Sequence, residues 1–156
     1  MKSILFDFKT AQESWFEQAS QLYVKKIKHF TDFEIQSLKS PKVGRDEVTQ
    51  KQNAEAAELL KKINQDDLVV LFDEKGKSYS TMEFVEVINK SEMSGKKRLV
   101  YIIGGAFGVS DEIKKMAAIK IALSGLVMNH LVAEVVALEQ IYRAYTIKNR
   151  IPYHNT

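Results

Sequence analysis

Two continuous apolar runs constrain this chain more than any other feature. Leu68–Phe72 (LVVLF) and Leu99–Ile103 (LVYII) are too short for helices and too uniformly apolar for strands with one wet face. Strands of this kind are covered on both sides, as in a parallel sheet held between helices. The first run ends at Asp73, with Gly76 expected to make the turn. The second breaks into Gly104, Gly105 and Gly108. Two shorter strands are predicted at SILFDF from Ser3 and at FEIQSL from Phe33. Trp15, Phe16, Ala19, Leu22, Tyr23, Ile27 and Phe30 recur at helical spacing, so residues 13–30 are expected to bury that face and to show Lys25, Lys26 and Lys28 to water. SPKVGRDEVTQ from Ser40 reads as a mobile loop. Helices are predicted over Gln52–Ile63, over STMEFVEVINK with Ser80 or Thr81 as N-cap, from Ser110 through Lys120, and over Leu131–Lys148. Strands alternating with helices predict an α/β fold, a parallel sheet flanked by helices. At 156 residues it is expected to form one domain, 1–156.

Composition removes several classes of chemistry. The chain has no cysteine, which excludes disulfides, Cys-based zinc sites and thiol catalysis. No metal site is expected. The net charge of +3 permits contact with nucleic acid without arguing for it. The apolar run before Asp7 is too short for a signal peptide, and no stretch reaches the roughly 20 apolar residues of a membrane span. A cytoplasmic location is expected.

Ligand chemistry is expected at the carboxyl ends of the strands. GGAFG lacks both the G-x-G-x-x-G pattern and the Gly-Lys-Ser/Thr ending of a P-loop. It is either a tight strand-to-helix turn or a place where a ligand meets bare backbone. LSGLVMNH from Leu123 is either core packing or a loop whose main-chain amides and apolar side chains suit an adenine ring. His130 is a base or a helix-start hydrogen-bonding residue. Arg143 lies four residues after Glu139, the spacing of a helical ion pair. Tyr153 and His154 sit in a tail that would fray without a partner or ligand.

The ordered set L-F-D-x-x-G-K, I-I-G-G-x-x-G, the Leu-Ser loop, His130, E-Q-x-Y-R-A and the terminal P-Y-H resembles the RlmH-type methyltransferases of the SPOUT class. The resemblance covers the whole chain. It implies a SPOUT-type fold with a C-terminal trefoil knot, a homodimer, and S-adenosyl-L-methionine as cofactor. It also implies methylation of N3 of a pseudouridine in large-subunit ribosomal RNA within the ribosome, with no membrane and no DNA partner. By the same resemblance Phe72, Gly104, Leu123, Ser124, Gly125, Leu126, Val127 and Met128 would bind the cofactor. Arg143, Tyr153 and His154 would serve substrate and catalysis. His154 would take the imide proton, Tyr153 would stack on the base or donate to a carbonyl, and Arg143 would steady negative charge or hold phosphate. The short tail would serve the partner subunit's site.

The chain departs from the family near His130, where Asn129 and Leu131 flank the histidine and Glu134 stands in place of an arginine. An anion there is expected to repel RNA phosphate. The family's early Val-Gly-Lys is also altered, with Phe8 before Lys9 and no glycine. These departures keep two alternatives open: a non-catalytic RNA- or ribosome-binding protein of the same fold, and a methyltransferase acting on another RNA or a small molecule.

Overall fold

The computed structural model describes residues 1–8, 13–42 and 44–154. Lys9 and Val43, the latter within the expected loop, lie outside them. Among the described residues the order is β1 (Lys2–Phe8), α1 (Ser14–Ile27), β2 (Phe33–Leu38), a 3-10 turn (Arg45–Glu47), α2 (Val48–Leu60), β3 (Asp67–Ser78), α3 (Thr81–Met93), β4 (Arg98–Ile103), α4 (Asp111–Met116), β5 (Ile119–Ala122) and α5 (His130–Lys148). The strands pair in parallel in the order β2-β1-β4-β3-β5.

Because side chains alternate along a strand, each apolar run feeds two cores. Leu5, Val70, Phe72, Leu99, Tyr101 and Ile103 meet Ile27 of α1, Phe84 and Ile88 of α3, and Leu138, Ile141 and Tyr145 of α5. On the opposite face Ile4, Phe6, Val69, Leu71, Val100 and Ile102 meet Leu59 of α2 and Ile113 of α4. The double cover that the sequence predicts for Leu68–Phe72 and Leu99–Ile103 is therefore present. Ser80 caps α3 reciprocally: its Oγ accepts from Glu83 N at 3.1 Å, and its own N–H donates to Glu83 Oε2 at 2.7 Å.

Five local expectations are corrected. The strand beginning at Asp67 does not stop at Asp73 but runs to Ser78, and its pairing slips so that Phe72 and Lys77 both oppose Ile121. Residues 73–76 are the extra length of that irregularity, and Asp73, Glu74 and Lys75 of it line a cleft at the strand ends. Gly76 is a close approach rather than a turn. A Cβ there would stand 2.7 Å from Lys120 C and 2.8 Å from Ile121 N. The second half of the expected 40–50 loop is helical, since no breaker follows Gly44 and α2 begins at Val48. The helix capped by Ser110 ends at Met116. Ile119 and Ile121, β-branched and alternating, pair instead with the free edge of β3. Finally, the apolar face expected on α1 is only partly covered. Ile27 is buried, while Trp15 and Leu22 stay 47% and 50% exposed. No described helix is long and apolar enough to cross a membrane.

Candidate active site

A cleft of ≈ 770 Å³ opens where β3, β4 and β5 end. Three segments wall it: the β3 irregularity with Phe72, the turn after β4, and the loop after β5. Of the residues expected at a cofactor, Phe72, Gly104, Leu123, Ser124, Leu126, Val127 and Met128 line it. Gly125 lies in the same loop but not on the wall. The glycine turn closes through Gly108 N donating to Gly105 O at 3.0 Å, with Gly108 at φ +75°, where a side chain would be strained. A Cβ on Gly104 would sit 3.0 Å from Gly108 C, so this turn packs main chain against main chain. In the β5 loop Ser124 Oγ accepts from Leu126 N at 2.9 Å and bends the chain. Leu126 and Val127 are left about four-fifths exposed (80% and 82%), apolar surface with no protein cover. Pockets of roughly 300–1,000 Å³ with apolar walls and a few backbone polar groups hold nucleoside-sized ligands. The wall residues therefore fit an adenosyl group: apolar side chains for the ring and main-chain groups for its edge.

Arg143, Tyr153 and His154 come together elsewhere. The Arg143 guanidinium lies 4.8 Å from the Tyr153 ring centroid. Glu139 ties both: Arg143 Nε donates to its Oε1 at 3.0 Å, and Tyr153 Oη donates to the same oxygen at 3.1 Å. The ion pair expected from the i,i+4 spacing thus exists and has gained a third member. Burial, reinforced by the Glu139 charge, pushes the Tyr153 hydroxyl up to about 12, so it is a donor at neutral pH. His154 Nδ1 is buried without a hydrogen-bond partner among the described residues. None of the three lines the cleft. His130, which does, begins α5, and Arg143 is thirteen residues further on. At ~1.5 Å per residue that is about 20 Å along the helix.

Comparison with known proteins places this geometry. A family model described as "Predicted SPOUT methyltransferase" matches residues 1–154. The chain belongs to the SPOUT methyltransferase family. Among its relatives is the ribosomal RNA large subunit methyltransferase H of Bdellovibrio bacteriovorus, 51% identical over 155 residues and 99% of both chains. The protein of the same name from Porphyromonas gingivalis (strain ATCC 33277) is 33% identical over 156 residues, again 99% of both. A solved structure from Haemophilus influenzae Rd KW20, described as a probable methylase family protein, superposes with a TM-score of 0.51. It is 14% identical, with 99% of this chain and 70% of that one covered, and shows likeness of fold.

The structure also accounts for the departures around His130. Asn129 Oδ1 accepts from Leu131 N at 2.9 Å and so caps α5. His130 is held below its usual value by burial and then by the Lys51 charge, which makes it a neutral imidazole at pH 7. The expectation that Glu134 repels phosphate is overturned. Glu134 is 2% exposed and sits with Asp7 in a second cleft between α1, β2 and the start of α5. Burial, followed by the hydrogen bond and charge of Asp7, raises its carboxyl to about 10. It is a neutral acid that does not line the cleft at the strand ends. Sequence reading missed Gln52, Phe107 and Lys114 on the cleft wall, and the bond that ties Glu139 to Tyr153 of the tail. Gln52 carried no signal, being one polar residue on an ordinary helix. Phe107 carried one, a large aromatic inside a glycine turn.

Proposed function

We propose that this chain uses S-adenosyl-L-methionine to methylate N3 of a pseudouridine in large-subunit ribosomal RNA. It would act in the cytoplasm on the ribosome, as a homodimer whose protomers each form one domain over residues 1–156. The observation that carries this reading is the cleft: three main-chain turns at adjacent strand ends, walled by seven of the eight positions expected to hold the cofactor. The names of the relatives from Bdellovibrio and Porphyromonas support the RNA class. When bound, the cofactor supplies a methyl group on a sulfonium, a good leaving group. The chain's own task is to position the acceptor and to take its proton.

Roles follow from the tail. His154 Nδ1, without a partner among the described residues, accepts the N3 proton. Arg143 and Tyr153, braced by Glu139, face the base as a charged and aromatic pair. The length of α5 separates these groups from the cleft of their own chain, so the second protomer delivers them. The exposed Trp15 and Leu22, seven residues apart and on one face of α1, supply apolar surface for that contact. The knot belongs to the same proposal. It is supported by the return of the chain from the sheet edge at β5 to α5 against α1 and α3.

The test is mass mapping of large-subunit RNA from ribosomes that lack the modification. Incubation with protein and cofactor is expected to add one methyl to a pseudouridine. Tight binding of ribosomes with no methyl added would refute catalysis and leave an RNA-binding protein of this fold.

A further inference from the structure

The mouth of the cleft carries an aromatic ring that is neither among the residues expected at the cofactor nor part of the tail. Phe107 lines the cleft yet stays 45% exposed. It occupies the Gly105–Gly108 turn, which the bridge between those two glycines holds closed. Two residues of α2 fix it from outside the turn. Gln52 Nε2 donates to Phe107 O at 2.8 Å, and Lys51 Nζ stands 5.6 Å from the ring centroid. The Lys51 charge also reaches His130 across the cleft mouth. One exposed ring, one cation beside it and a backbone locked by an amide form a rigid, amphipathic surface.

An exposed phenylalanine costs solubility and gains nothing for the core, whose members are buried on either side of the sheet. Its partner must present a flat apolar face next to an anion, because Lys51 stands beside the ring. A nucleobase with its phosphate has that chemistry. Base stacking on aromatic side chains tolerates any sequence, since every base has a π-face. We infer that Phe107 stacks on an unpaired base flanking the methylated nucleotide, that Lys51 pairs with the adjoining phosphate, and that Gln52 is a positioning residue for the turn. This rests on the proposed RNA substrate and extends it: the acceptor is recognised in a single-stranded segment with its neighbour splayed onto Phe107.

The experiment uses the full chain with large ribosomal subunits at saturating cofactor. It reads KM and kcat for methyl transfer, subunit binding by sedimentation, and cofactor affinity by calorimetry. Phe107→Leu is expected to raise KM for subunits roughly ten-fold, with cofactor affinity within about two-fold of wild type. Phe107→Trp, which restores a π-face, is expected to bring KM back to within about three-fold. Lys51→Gln should raise KM and flatten its dependence on salt, since one phosphate contact is lost. An unchanged KM in Phe107→Leu overturns the stack, as does a loss of cofactor affinity parallel to the rise in KM. Wild-type protein that binds subunits through Phe107 without methylating them would sink the methylation reading and leave the stack standing. Wild-type protein that neither binds nor methylates would sink both.

Discussion

Replacing Glu134 by Gln should change how folding stability depends on pH. Glu134 is buried in the same cleft as Asp7, and Glu134 Oε1 and Asp7 Oδ1 have no hydrogen-bond partner among the described residues. Its pKa rises from an ordinary 4.5 to about 10, through burial first and then through Asp7. A raised folded-state value means that the native chain keeps a proton the unfolded chain has lost. That stability is fully present below about pH 4.5 and declines as pH climbs toward the folded value. Between about pH 6 and pH 8 the native state holds one extra proton throughout, so the slope is ~1.4 kcal/mol per pH unit. The wild type should therefore lose about 3 kcal/mol from this site over that interval. Gln has nearly the same shape, offers an N–H to Asp7 and does not titrate. Urea unfolding of both chains at each pH, at one fixed protein concentration, isolates the site, because other titrating groups cancel in the difference. The variant should gain about 3 kcal/mol on the wild type from pH 6 to pH 8. Parallel stability curves, diverging by less than ~0.5 kcal/mol, would refute a proton held in that pair.

Other outcomes follow from single contacts. Gly76→Ala places a Cβ against the main chain of Lys120 and Ile121, which cannot rotate away; a loss of about 2–3 kcal/mol in chemical denaturation is expected, with weaker cofactor binding by calorimetry, since β5 leads into the Leu123–Met128 loop. Lys51→Gln removes a like charge near His130, so the imidazole pKa, read by NMR titration, should move up toward its ordinary value. Mixed dimers of one Arg143→Ala chain and one chain ending at Pro152 should depart from the activity expected of two independent subunits, as measured by methyl transfer to ribosomes. A result equal to the independent sum would refute a site shared between protomers.

Much of this protein can be read along the chain. LVVLF and LVYII identify covered strands, because an unbroken apolar run leaves no face for water. Ser80 with Glu83, and Ser110 before an acidic turn, mark helix starts through bonds that reach only three residues. Family membership is equally legible, carried by the glycine turn, the Leu-Ser loop and the Tyr-Arg-Ala and Tyr-His motifs. Tertiary structure decided the rest. Ile119 and Ile121 became strand because β3 had an edge to fill. Gly76 is needed because another backbone passes within van der Waals contact. Glu134 lost its charge to burial first and then to Asp7, a residue at the other end of the sequence, since ionisation depends on what surrounds a carboxyl and not on its neighbours in the chain. The rigid length of α5 sets Arg143, Tyr153 and His154 apart from the cleft they were expected to serve, a separation that residue order alone does not measure.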